Sequence, residues 1–170
     1  AYKGCVNFAG AKAVPLQLKE DNCFKLTVDQ LKACVTEKTK VLILAYPNNP
    51  TGAVMTEEEL KPIAEYLAAK DIIVISDEIY SDLTYGMKHF SFAEFKNMHD
   101  KVVYVNGFSK SFSMTGWRLG YVCAPVSYTH LRAHETVLDL VCRLLLEKKN
   151  NNIIKAHNNI ILTNYYTTIY

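Results

Sequence analysis

The chain has 170 residues, of which 49% are hydrophobic, and its 19 basic and 17 acidic side chains give a formal net charge of +2. This length and apolar content fit one globular domain with a substantial core. So balanced a charge does not indicate a nucleic-acid or anionic-membrane partner, and we expect a small-metabolite ligand instead.

The cysteines and the apolar runs predict a cytoplasmic protein. The five cysteines lie far apart without a C-x-x-C pair, which indicates reduced thiols rather than a disulfide framework or a zinc site. No apolar run approaches the roughly 20 residues of a membrane helix, and the first residues lack a signal-peptide pattern. The chain also begins without a methionine, and we expect that it is truncated at this end.

Short apolar runs alternate with amphipathic stretches along most of the chain. Five β-rich runs predict strands over residues 14–18, 41–45, 72–76, 102–106 and 119–124. This alternation is typical of an α/β fold with a largely parallel sheet. In such sheets ligands gather at the carboxyl ends of the strands, so we expect the chemistry in the loops after Ala45, Ser76 and Asn106.

Two capping boxes predict helices between these strands. Thr27 with Gln30 begins the first, and Thr56 with Glu59 begins the second. Pro62 is expected to kink the second helix or to mark a late start. Apolar residues follow each box at helical spacing: Val28, Leu31 and Val35 after the first, and Leu60, Ile63, Ala64 and Leu67 after the second.

The composition changes after about Val126. All seven glycines lie at or before Gly120 and all five prolines at or before Pro125, although ordinary usage would place about five such residues beyond this point. Residues 127–150, SYTHLRAHETVLDLVCRLLLEKKN, resemble translated sequencing-adapter read-through. We therefore predict a domain over residues 1–126 and a foreign or artefactual tail over 127–170, to which no domain is assigned.

Three polar segments follow predicted strands: YPNNPTG at 46–52, SDEIY at 76–80 and NGFSKSFSMTGWRLGY at 106–121. In this order and spacing they closely resemble the fold type I, class I/II aminotransferases, which depend on pyridoxal 5'-phosphate (PLP). The resemblance covers residues 1–126. It implies part of the family's large domain, a three-layer α/β structure around a mostly parallel sheet.

The cofactor chemistry gives each motif a candidate role. An electron sink next to an amino group needs a protonated pyridine nitrogen, which a buried carboxylate enforces, and Asp77 after an apolar strand suits that task. The resemblance assigns Asn49 and Tyr80 to the cofactor's phenolate oxygen. It makes Lys110 the Schiff-base lysine of the internal aldimine, which then moves the substrate proton. We therefore expect Lys110, Asp77 and Tyr80 to be catalytic.

The cofactor's phosphate is expected to bind Arg118, because a guanidinium fork matches a phosphate dianion. Relatives often place a serine three residues before the lysine, where this chain has Gly107. The nearest hydroxyls belong to Ser109 and Ser111, and we take Ser109 as the phosphate ligand. Gly107, Gly116 and Gly120 indicate a close backbone approach, and the resemblance also implies a cis Asn49–Pro50 bond.

Each candidate has an alternative interpretation that needs no cofactor. Asp77 has the pattern of a loop or capping aspartate, Asn49 of a turn and Tyr80 of a core tyrosine. Lys110 also fits a solvated surface lysine and Arg118 a surface ion pair. A metal site is not expected: His130, His134 and Glu135 faintly resemble a zinc helix, but H-E-x-x-H would require histidine where the chain has Leu138.

The resemblance implies transamination between an amino acid and a 2-oxo acid by a homodimer. A PLP-dependent lyase or decarboxylase on the same fold remains an alternative, because fold does not settle reaction. The PLP-binding domain of a transcription regulator is another, and an upstream helix-turn-helix would distinguish it. By resemblance, the glycine-rich phosphate loop and the small domain with its carboxylate-binding arginine are missing here, so this chain is expected to be poorly active or inactive alone.

Overall fold

A six-stranded sheet forms the centre of the computed structural model, which describes residues 2–126 and 159–162. The strands in chain order are β1 (Lys12–Pro15), β2 (Thr39–Ala45), β3 (Ile73–Asp77), β4 (Val102–Gly107), β5 (Gly120–Cys123) and β6 (Asn159–Leu162). Their spatial order is β1-β6-β2-β3-β4-β5. All neighbours are parallel except β4 and β5, which run antiparallel. The predicted α/β class and largely parallel sheet are confirmed.

The register of the central strands brings their carboxyl ends to one edge of the sheet. Ala45 pairs with Asp77, and Asp77 pairs with Val105 on the other side. The loops that leave β2, β3 and β4 therefore start side by side. The first strand is shifted relative to its prediction, since it runs over Lys12–Pro15 and stops before Leu16, which is buried nonetheless.

Strand β6 lies between β1 and β2. Its residues pair in parallel with Lys12–Pro15 on one side and with β2 on the other, where the register shifts between Thr39 and Val41. These four residues belong to the stretch beyond Val126. The domain boundary after Val126 and the foreign origin of residues 127–170 stay predictions.

Within residues 2–125, three α-helices accompany the sheet: α1 (Tyr2–Phe8), α2 (Val28–Cys34) and α3 (Glu57–Ala68). Both predicted capping boxes are confirmed, because the Thr27 and Thr56 side chains accept from the backbone at Gln30 and Glu59 and receive the reciprocal bonds. These bonds satisfy amide groups that a helix start otherwise leaves without partners. Helix α3 begins at Glu57, so Pro62 does not mark a late start.

Helices cover both faces of the sheet. On one face, Leu42 and Leu44 of β2 and Val74 of β3 pack in the large core with α2 and α3. On the other face, Ile43 packs with Val6 of α1 in a smaller cluster. This alternation of side chains between two buried faces gives three layers. Among residues 2–126, none of the helices has the length and apolar character needed to cross a membrane.

Candidate active site

The candidate active site lies where β2, β3 and β4 end. Each predicted site residue follows one of these strands, except Asp77, which is the last residue of β3 rather than the first residue after it. Asn49 follows β2, Tyr80 follows β3, and Lys110 follows β4. The common direction of the strands thus collects side chains that are distant in the sequence.

The loop after β2 is a closely bonded turn. The backbone of Asn48 accepts from Gly52 at 2.8 Å and donates to Ala53 at 2.9 Å, while its side chain accepts from the Thr51 hydroxyl at 2.9 Å. Gly52 has φ +71°, a conformation that favours glycine. The Asn49–Pro50 bond is cis, as expected, and so is Tyr46–Pro47. The turn leaves the Asn49 side chain exposed.

Asn49, Tyr80 and Lys110 come together in space. The Asn49 amide Nδ2 donates to the Tyr80 hydroxyl at 3.2 Å. The Lys110 Nζ lies 5.5 Å from the centre of the Tyr80 ring, within the range of a cation–π contact. An amine, a phenol and an amide therefore lie close together at this end of the sheet.

Asp77 is the last residue of β3 and precedes Tyr80 by three positions. Its Oδ1 accepts from the Ile79 backbone N–H at 3.3 Å, and its Oδ2 accepts from the Tyr2 hydroxyl. Burial raises the pKa of the Asp77 carboxyl, the Ile79 hydrogen bond opposes that rise, and the neighbouring Glu78 adds to it. Asp77 is a half-buried carboxyl whose charged form costs free energy in the folded chain.

Replacing Asp77 with asparagine is therefore expected to stabilise the cofactor-free chain in a pH-dependent way. Because the folded pKa lies above the unfolded one, the folded state binds more protons between the two values, and the wild type loses stability as pH rises through this window. Below the unfolded pKa, near about 4, the Asp77 carboxyl is neutral in the folded and in the unfolded wild type, so burial no longer carries a charge penalty. Urea unfolding of both chains from pH 3 to pH 8 checks this. An Asp77→Asn gain that is the same at every pH contradicts the argument.

The loop after β4 carries Lys110 at an exposed position. The Thr115 hydroxyl donates to the Ser109 carbonyl at 3.0 Å, and the Ser113 N–H donates to the Lys110 carbonyl at 3.1 Å. The Phe108 ring lies 5.5 Å from that of Phe112. These contacts fold the loop back on itself and present the lysine side chain outward.

Arg118 and Ser109 lie in the same loop but form no hydrogen bond with Asn49, Asp77 or Tyr80 within the described part of the chain. Arg118 is exposed, has φ +54° and donates from Nη1 to the Thr115 carbonyl at 3.4 Å. The Ser111 Oγ is buried and lacks a hydrogen-bond partner among the described residues. A hydroxyl with unused bonding capacity therefore stands directly beside Lys110.

Gly107, three residues before Lys110, is packed tightly against the neighbouring backbone. A Cβ at this position would lie 3.0 Å from the Leu119 carbonyl oxygen and 3.1 Å from the Gly120 Cα. Gly107 and Gly120 face each other in the antiparallel β4–β5 pair, so both neighbours are backbone. The predicted close backbone approach is confirmed for these two glycines. It is not found at Gly116, where a Cβ would meet no other described atom within 4 Å.

A buried carboxylate next to Asp77 was missed by the sequence analysis. Glu78 accepts four hydrogen bonds with lengths between 2.6 and 3.1 Å. Their donors are the Ser76 and Ser91 hydroxyls, the Phe92 backbone N–H and the His89 Nε2. This network fastens the segment after β3 to residues 89–92, and only its polar character was visible in the sequence.

Two further residues near the site also lacked a sequence signal. Asn106 is buried, and its Nδ2 donates to the Ser81 hydroxyl at 3.1 Å and to the Tyr104 hydroxyl at 2.6 Å. Tyr2 reaches Asp77 across 75 positions of sequence.

Among residues 2–126 and 159–162, no group of three potential metal ligands is present. His130, His134 and Glu135 lie outside the described residues.

The chain belongs to the class I and II aminotransferase family. The family model described as aminotransferase class I and II matches residues 1–168. This agrees with the mostly parallel sheet and with the fold type I resemblance of the three strand-end motifs.

Individual relatives carry more specific names. The aspartate aminotransferase of Pyrococcus abyssi is 49% identical over 126 residues, which are 74% of this chain and 32% of that protein. The Thermus thermophilus aspartate aminotransferase solved with maleate superposes with a TM-score of 0.71 at 37% identity, covering 75% of this chain and 33% of that one. For the Pyrococcus horikoshii aromatic aminotransferase the TM-score is 0.64 at 44% identity, covering 71% and 34%. The chain thus spans about a third of the length of such relatives.

Proposed function

We propose that this chain carries the cofactor-binding part of a PLP-dependent aminotransferase that moves an amino group between an amino acid and a 2-oxo acid. The observation that carries the proposal is the convergence of Asn49, Tyr80 and Lys110 at the edge of the sheet where Asp77 ends β3. These side chains suit PLP, which has an aldehyde for an amine, a phenolate oxygen for hydrogen-bond donors and a ring nitrogen for a carboxylate. When bound, PLP supplies the electron sink that the reaction needs.

The side chains divide the binding task by their chemistry. Asp77 would accept a hydrogen bond from the pyridine nitrogen, because a carboxylate next to that nitrogen favours its protonated form. Asn49 and Tyr80 already touch each other at 3.2 Å, and both have hydrogens to donate to the phenolate oxygen. Because these two side chains contact each other, they would approach the cofactor ring from the same side.

Lys110 holds the cofactor and handles the proton. Its exposed side chain is unencumbered by an ion pair in the described part of the chain, and its Nζ lies over the Tyr80 ring. The neutral amine of this lysine would hold the aldehyde group of PLP, and it would move a proton as a general base and acid. One side chain thus serves both functions.

Arg118 and Ser109 are proposed as the phosphate ligands. The Arg118 guanidinium is exposed and donates one long hydrogen bond to the Thr115 carbonyl. Its other donors can therefore bind a phosphate dianion. Ser111, with its unpartnered buried hydroxyl, offers a further donor in the same loop. The names of the relatives favour an aminotransferase over a lyase, a decarboxylase or a regulator domain.

The intact protein is proposed to be a cytoplasmic homodimer. Apolar side chains are exposed around β5, where Trp117 is 70% and Val122 is 58% accessible. An exposed apolar patch of this kind favours a contact with another protein surface. The described thiols Cys5, Cys23, Cys34 and Cys123 are free, which fits a reducing compartment. Because the chain spans about a third of its relatives' length, we propose that it does not complete the reaction alone.

A trapping experiment tests the proposed function. The 170-residue chain is mixed with PLP, reduced with borohydride, digested and mapped by mass spectrometry. We expect the pyridoxyl group on Lys110. A Lys61→Arg variant, which alters an exposed lysine of α3, is expected to give the same yield. Modification spread over other lysines, or absent from Lys110, would sink the proposal.

A further inference from the structure

Tyr2 lies at the start of α1 and contacts the candidate site from the opposite end of the sequence. Its ring packs against the small cluster formed around Val6 and Ile43, beside Ile75 of β3. Ile75 is two residues before Asp77 on the same strand. The ring is therefore anchored on the sheet face that leads to the Asp77 carboxyl.

The Tyr2 hydroxyl donates to Asp77 Oδ2. The other oxygen, Oδ1, accepts from the Ile79 backbone at 3.3 Å. Among the described residues, Tyr2 is the one side chain that donates a hydrogen bond to this carboxyl. Each oxygen thus has one fixed donor, and each retains a lone pair for a further hydrogen bond.

The surroundings of Asp77 otherwise oppose its charge. The carboxyl is half-buried, and the neighbouring Glu78 is a buried acidic group. A donor to the charged form offsets both effects, because it stabilises the carboxylate and not the neutral acid. The phenol also fixes the direction of the carboxylate plane, since its ring position is set by packing.

We propose that Tyr2 is a positioning residue whose hydroxyl keeps the Asp77 carboxylate ionised and oriented toward the pyridine nitrogen of PLP. This inference rests on the proposed function for its cofactor, but the hydrogen bond itself acts in the cofactor-free chain. Removing the hydroxyl leaves the Asp77 charge with the Ile79 N–H as its remaining donor in the described part of the chain. The carboxylate is then easier to protonate and free to turn.

The test measures the Asp77 pKa directly in the full chain without cofactor. Aspartate is labelled at the carboxyl carbon, the Asp77 signal is assigned by its loss in Asp77→Asn, and each chain is titrated by NMR. Tyr2→Phe is expected to raise the Asp77 pKa, lowering its acid dissociation constant about three- to tenfold. Tyr85→Phe, which removes a hydroxyl from a side chain 89% exposed, is expected to change nothing. An Asp77 pKa equal in Tyr2→Phe and wild type overturns the inference.

A second measurement covers the case in which Tyr2→Phe does not fold. In the wild-type chain labelled at the tyrosine ring carbon that bears oxygen, the Tyr2 signal is expected to shift at the pH where Asp77 titrates, and this step should vanish in Asp77→Asn. A Tyr2 signal that ignores the Asp77 titration also overturns the inference. PLP affinity measured on the same variants is expected to fall about three- to tenfold in Tyr2→Phe. Failure of the wild type to bind PLP refutes the proposed function separately, because the titrations contain no cofactor.

Discussion

Replacing Lys110 with arginine is expected to abolish the borohydride-stable attachment of PLP. Attachment requires a neutral amine, whereas a guanidinium stays protonated at every working pH, so the nucleophilic form becomes at least about 100-fold scarcer. The substitution keeps the positive charge over the Tyr80 ring, where Nζ now lies 5.5 Å from the ring centre. The loss therefore reports the missing amine rather than a missing charge. Mass spectrometry of the reduced, digested protein measures it.

Reversible binding provides the control for this variant. The Asn49–Tyr80 pair and Asp77 do not involve the Lys110 side chain in their hydrogen bonds, so PLP should still associate weakly with Lys110→Arg. Equilibrium dialysis detects that association, and Lys61→Arg should retain full covalent labelling. If Lys110→Arg is still labelled at wild-type yield, another lysine holds the cofactor and the central assignment fails.

Replacing Glu78 with alanine is expected to cost about 3 to 5 kcal/mol of unfolding free energy, the range found when a buried charged partner is removed. The Glu78 side chain is buried and accepts from two hydroxyls, one backbone N–H and His89. Alanine leaves all four donors without an acceptor and opens a cavity behind β3. Urea unfolding followed by circular dichroism gives the change in free energy.

Two matched variants show whether the network causes that loss. Glu78→Gln keeps an oxygen that can accept from Ser76, Ser91 and Phe92, and it should lose only about 1 kcal/mol, the typical net worth of one hydrogen bond. Glu65→Ala removes an exposed glutamate of α3 and should fall within about 0.5 kcal/mol of wild type. A Glu78→Ala loss no larger than that of Glu65→Ala would show that the network contributes little.

Local sequence patterns were sufficient for the elements that frame the site. Thr27 and Thr56 predict helix starts because each capping box joins residues only three positions apart, so its pattern is visible in the sequence. The buried strands β2 and β3 are visible as β-branched runs, with ends displaced by one or two residues. The loops that carry Asn49, Tyr80 and Lys110 could be grouped because parallel strands present their carboxyl ends together, whereas the choice of these three residues came from the family resemblance.

Contacts between distant segments could not be predicted from such patterns. Nothing local to Tyr2 indicates that its hydroxyl meets Asp77, and nothing around Glu78 distinguishes a buried network from an ordinary solvated glutamate. The tight packing at Gly107 depends on the backbone of Leu119 and Gly120 at the start of the neighbouring strand. These features arise from tertiary packing, which single-sequence periodicity does not encode.

Strand β5 has consequences for handling the protein in solution. Within residues 2–126 and 159–162 it pairs on one side with β4 and ends the sheet on the other, and all four of its residues are exposed. An edge of this kind carries unused amide and carbonyl groups that can pair with a second chain. Tyr121 and Val122 add apolar surface to the same edge. Concentrated samples should therefore be prone to self-association along β5, and dilute conditions favour the monomeric preparations that a clean titration requires.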